Sequence, residues 1–85
     1  MNIQLRFFAS IREALGTSQE TVAVPPDVAT VGALRAYLRE RGDAWAAALA
    51  PGRALRMACN QLMADETTPL ADGCEVAFFP PVTGG

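Results

Sequence analysis

The sequence predicts an α+β fold, a mixed sheet of four or five strands covered on one face by one main helix. Three observations lead there. Short segments of alternating apolar and polar residues open and close the chain. One long amphipathic segment lies between them. The breaks carry Gly, Pro and Asp-Gly, with no linker that would set off a second domain. At 85 residues the chain has room for one core and little more.

Residues 3–8 read as the first strand. Ile3, Leu5 and Phe7 share one face, and Gln4, Arg6 and Phe8 the other. "SIREALG" (10–16) reads as a short helix, with Ser10 and Glu13 at capping-box spacing and Gly16 as its stop. "QETVAV" (19–24) is a second strand, ended by Pro25-Pro26. The main helix is "VGALRAYLRERG" (31–42). Thr30 is its N-cap, and Val31, Leu34 and Leu38, with Tyr37 beside them, form the buried stripe. Arg39 and Arg41 sit where the helix dipole favours cations, and Gly42 is expected to close the helix in the left-handed conformation. "AWAAALAPG" (44–52) is a second short helix, with Trp45 and Leu49 one turn apart. "LRMACN" and a short piece around Leu62-Met63 are strands, and Asp72-Gly73 marks a turn. "CEVAFF" (74–79) is the last strand, with Val76 and Phe78 on one face and Glu75, Ala77 and Phe79 on the other.

Composition narrows the function. Hydrophobic residues make up 51% of the chain, which supports a packed core. No apolar run approaches the roughly 18–20 residues that span a bilayer, and "MNIQLRFF" lacks the pattern of a signal peptide, so a cytoplasmic protein without a membrane partner is expected. Net charge is −2, and every basic residue is arginine, without the cluster that nucleic-acid binding needs. The absence of histidine removes the usual general base at neutral pH. The absence of lysine leaves no side chain that accepts an isopeptide. Cys59 and Cys74 have neither C-x-x-C spacing nor histidine companions, so no metal site is expected. They read as small buried hydrophobes, although spacing alone leaves a disulfide open.

Two features point to a job. Phe8 and Phe79 fall on the outer face by alternation, among Gln4, Arg6 and Glu75. First and last strands are often neighbours in such folds, so the two rings are expected to form one exposed patch, with Met63 as a candidate third member. Clustered exposed apolar area of this kind marks a partner surface. The second feature is the end, "AFFPPVTGG". Pro80 and Pro81 stop the ladder and favour an extended path, which Val82 and Thr83 continue. Gly84 and Gly85 carry no side chains and can enter a narrow passage. The expected division is a folded domain over 1–79 and a flexible tail over 80–85. A carboxylate at the tail's tip is a poor electrophile until another enzyme activates it, for example as an acyl-adenylate.

Several segments together resemble the small subunits of molybdopterin synthase, which are ubiquitin-like sulfur carriers. They are "FFASIRE" with Gly16, the "ALRAYL" helix, Trp45 with Leu49, "CNQ" at 59–61 and, most specifically, "PLADGCEVAFFPPVTGG". The resemblance covers essentially the whole chain and implies a β-grasp fold. It implies that an adenylyltransferase related to ubiquitin-activating enzymes uses ATP to convert the Gly85 carboxylate to an acyl-adenylate. A sulfur-donor protein then leaves a thiocarboxylate on Gly85, and no cofactor is bound. It implies a large-subunit partner in a heterotetramer, where the sulfur passes to cyclic pyranopterin monophosphate to build the molybdopterin dithiolene. Phe8, Met63 and Phe79 match family positions that contact the large subunit, and Gly84 and Gly85 match the family's tail. Cysteine at 59 and 74 departs from the family pattern. Two other readings share the activated tail: a protein modifier conjugated through Gly85, and a sulfur carrier for thiamine or another thiolated product.

Overall fold

The computed structural model describes residues 1–81. The elements run β1 (Asn2–Phe7), α1 (Ala9–Leu15), β2 (Gln19–Ala23), α2 (Val31–Arg39), α3 (Asp43–Ala48), β3 (Arg56–Cys59), β4 (Leu62–Ala64) and β5 (Glu75–Phe79). The strands form one sheet in the order β2-β1-β5-β3-β4. β1 and β5 are parallel in register, Gln4 with Glu75 through Phe7 with Phe78, and the other pairings are antiparallel. This is the β-grasp arrangement, an α+β fold with the first and last strands side by side at the centre.

Alternation places the core. Ile3, Leu5, Phe7, Val76 and Phe78 are sealed on the inner face, each at 1% exposure or less. They meet Ile11 of α1, Leu34 and Leu38 of α2, and Ala48 of α3. The Phe7 ring stacks near Phe78 at 6.0 Å and meets Trp45 edge-on at 5.6 Å. The expected single covering helix is therefore the main one of three. Burying each large side chain contributes about 1.5–3 kcal/mol, and the ten most deeply buried come from β1, β5 and the helices with Leu49.

Thr30 caps α2 as expected, its hydroxyl accepting from the Ala33 amide at 3.1 Å. Two further amides of the first turn find carbonyls on the segment before β5: Val31 donates to Thr68 and Gly32 to Glu66. Those bonds satisfy donors that a helix start otherwise leaves without partners. Three expectations fail at helix ends. Ser10 and Glu13 form no capping box: α1 starts one residue earlier, and its N-cap is Phe8, with no side-chain bond. β1 accordingly ends at Phe7, so Phe8 lies just beyond the strand rather than within it. Gly42 does not close α2. That helix ends at Glu40 in right-handed geometry, and Gly42, at φ 150°, starts α3 instead. Gly16 does close α1, at φ 72°.

Arg35 is the one buried charged residue among those described. Its Nε donates to the Leu49 carbonyl at 2.8 Å, its Nη2 to the Ala50 carbonyl, and Nη1 lies 3.5 Å from Glu66. It ties α2 to the chain just after α3, supplying a donor to the Leu49 carbonyl and a second one to the Ala50 carbonyl, which also accepts from the Arg53 amide. Burial pulls the guanidinium below its ordinary pKa, and Glu66 pulls it back up.

Candidate docking face and tail

The three helices leave the other face of the sheet open, and register fixes what lies on it. Arg6 pairs with Ala77, Ala77 with Ala58, and Ala58 with Met63 across four strands. One step along, Phe79 pairs with Arg56. On its other side stands Phe8, and the two rings meet edge to face at 6.5 Å between centroids. The aromatic pair predicted from alternation is therefore real. Phe8 is 41% exposed and Met63 66%, whereas Phe79 is half-buried by its neighbours.

Met63 shares this face at the far end of the alanine row. Leu62, though 73% exposed, lies on the opposite face of the same short strand, in register with Cys59. Between Met63 and the two rings the surface is shallow, because Ala58 and Ala77 carry only methyl groups. The alanines are themselves largely covered, at 9% and 6% exposure, by their larger neighbours. A row of small residues flanked by Phe, Phe and Met makes a low floor with raised apolar walls.

Two arginines border the rings. The Arg6 guanidinium lies 5.4 Å from the Phe8 centroid and 3.7 Å from the Glu75 carboxylate, while its Nε has no partner among the described residues. Arg56 is exposed on the other side of Phe79. The apolar patch is thus bordered by two arginines, one of them paired with Glu75. Sequence reasoning placed Arg6 on this face but gave it no role. Ala58, Ala77 and Arg56 were missed as surface-shaping residues, and the signal for them is register, which requires knowing which strands pair.

Pro80 and Pro81 follow β5 outside any strand and are half-buried. Val82, Thr83, Gly84 and Gly85, the rest of the predicted tail, lie outside the described residues. Because β5 is flanked by β1 and β3, Phe79 and the prolines extend from the middle of the sheet. Among the described residues no group of three or more metal-binding side chains converges, and no helix is long and apolar enough to cross a membrane.

Comparison with known proteins follows the same lines. The model of the ThiS family matches residues 5–85. The molybdopterin synthase sulfur carrier subunit of Escherichia coli is 49% identical over 83 residues, covering 98% of this chain and 99% of that one. Small archaeal modifier protein 3 of Haloferax volcanii is 34% identical and covered along its full length. Among solved structures, the protein-protein complex of subunits 1 and 2 of molybdopterin-converting factor from Helicobacter pylori contains a chain that superposes with a TM-score of 0.69. That chain is 28% identical, and coverage is complete on both sides.

Proposed function

The chain belongs to the ThiS family, and from that premise we propose that it is the sulfur carrier of a molybdopterin synthase in the cytoplasm. The observation that carries this reading is the 49% identity, end to end, to the Escherichia coli sulfur carrier subunit. The open face agrees with it. A carrier must dock on partners by its folded part while presenting its tail, and the aromatic pair sits at the base of that tail.

The steps follow from the chemistry of a carboxylate. An adenylyltransferase joins the Gly85 carboxylate to AMP from ATP, releasing pyrophosphate. A sulfur donor displaces AMP and leaves a thiocarboxylate. Within the large subunit the sulfur passes to cyclic pyranopterin monophosphate, and two such deliveries complete the dithiolene. The thiocarboxylate is anionic and nucleophilic near neutral pH, so this chain needs no base of its own, consistent with the absence of histidine. Gly84 and Gly85 give the tail its slender tip, and Pro80 and Pro81 direct it away from the sheet, with Val82 and Thr83 spanning between. Phe8, Met63 and Phe79 form the contact with the large subunit. In this division residues 1–79 are the docking domain and 80–85 the tail that carries the sulfur.

Intact-mass analysis of the protein from its own cells tests the reading. The expected species is heavier by one exchange of oxygen for sulfur, located on the C-terminal peptide. A second reading, a modifier conjugated through Gly85, draws on the 34% identity to small archaeal modifier protein 3. Lysine-linked conjugates with only carboxylate on the free protein would favour that reading and overturn the first.

A further inference from the structure

The two cysteines are placed for each other, and the docking face has no use for either. Cys59 ends β3 on its inner face, where it pairs with Val76. Cys74 precedes Val76 by two residues and points to the same side, buried at 5% exposure. The two therefore occupy a diagonal of one antiparallel pairing, and the Cys74 thiol is a direct neighbour of the Cys59 thiol. The residues next in the chain tie the strands together there: the Asn60 amide donates to the Glu75 carbonyl at 2.9 Å, and the Glu75 amide to the Asn60 side chain at 3.0 Å. Cys74 closes the turn that precedes β5, just after Gly73 at φ 83°, its amide donating to the Ala71 carbonyl at 3.0 Å and its carbonyl accepting from the Gln4 amide at 2.9 Å, which fixes it beside β3. Both thiols are free, and they differ in access, Cys59 half-buried and Cys74 buried. Burial first, and then the neighbouring Cys74 thiol, push the Cys59 thiol above its ordinary pKa. That favours the protonated thiol and argues against a fast nucleophile.

We propose that Cys59 and Cys74 are a reversible dithiol–disulfide couple that takes small-molecule disulfides as its oxidant. Cys59, the more accessible thiol, loses its proton and attacks one sulfur of the small disulfide. A mixed disulfide forms on Cys59, and the first small thiol leaves with a proton. Cys74 then attacks the Cys59 sulfur, closing the protein disulfide and releasing the second small thiol with the second proton. The protein loses two hydrogens and the small disulfide gains them. The closed bond joins the end of β3 to the entry of β5 and encloses β4, the three-residue edge strand that carries Met63. A cross-link of this span restricts the unfolded chain, so oxidation stabilises the fold.

The test treats the full chain with oxidised glutathione and follows intact mass and thermal unfolding. The expected product is monomeric, lighter by two hydrogen atoms, free of glutathione, and melts about 10 °C higher. Dithiothreitol reverses both changes. Cys74→Ala should stop at a glutathione adduct on Cys59, and Cys59→Ser should not react while it remains folded. Should Cys74→Ala fail to fold, Cys74→Ser supplies the same trap. A wild-type protein that keeps the glutathione adduct, forms intermolecular dimers, or leaves both thiols open to alkylation after oxidation would overturn the proposal.

Discussion

Phe79 is held by Phe8 on an otherwise shallow surface, so truncating it separates docking from folding. Phe79→Ala removes half of an edge-to-face pair worth about 0.5–1.5 kcal/mol to the fold. If the patch docks the large subunit, the same change costs about 2 kcal/mol or more in binding, some thirtyfold in Kd. Calorimetric titration of the large subunit against a Tm measured in parallel checks both; an unchanged Kd refutes the docking role. Arg35 illustrates the opposite kind of residue. Its spacing beside Leu34 and Leu38 gives no warning that a guanidinium lies under the helix, because the carbonyls it serves, Leu49 and Ala50, are fourteen and fifteen residues away.

Among the elements, α2 shows why a glycine stays in a helix. A Cβ on Gly32 would stand 2.8 Å from the Glu66 Cβ and 2.9 Å from the Glu66 carbonyl oxygen, which accepts from the Gly32 amide. Gly32→Ala gains up to about 1 kcal/mol in helix propensity, yet it must push away the turn after β4 whose Glu66 carbonyl caps the helix. The expected net effect is a loss of about 1–2 kcal/mol in urea unfolding. A pH effect belongs to the link between β2 and the end of α2. Arg41 grips Glu20 through two hydrogen bonds of 2.9 and 2.7 Å and lies 4.6 Å from the Trp45 centroid. The Arg41 bond holds the Glu20 carboxyl below its ordinary pKa despite partial burial. A depressed carboxylate stabilises the fold above its unfolded pKa, and that contribution is lost as pH falls through the lower folded value. Both side chains are about a third exposed, so the pair is worth at most about 1 kcal/mol. Glu20→Gln should therefore flatten stability against pH below about 4.5, measured by denaturant midpoint.

The legible elements were those in which local pattern and tertiary burial agree. Alternation in β1 and β5 found the core and the outward aromatics, and Thr30 identified the start of α2 by its own side chain. Ser10 misled because α1 starts one residue earlier, behind Phe8 and without any side-chain cap, and Gly42 because it stands between two helices and serves the start of the second. The hairpin at Asn60-Gln61 escaped notice for a related reason. Both residues take positive φ, 50° and 69°, in a two-residue turn between β3 and β4, a conformation usually signalled by glycine.

For the molecule as a whole, fold and delivery separate. The core described above runs from Ile3 to Phe78, so deleting Gly85 should leave Tm within about 1 °C while abolishing sulfur transfer. A clear fall in Tm would show that the tail supports the fold. The central parallel pairing of β1 and β5 has a further, mechanical consequence. The start of β1 and the end of β5 lie at opposite ends of two strands bonded side by side. A pull along the tail, as when partners draw it in, loads the hydrogen bonds between those strands together in shear instead of unzipping them one by one. The sheet resists the force, so the carrier can be tugged by its working end and keep its shape.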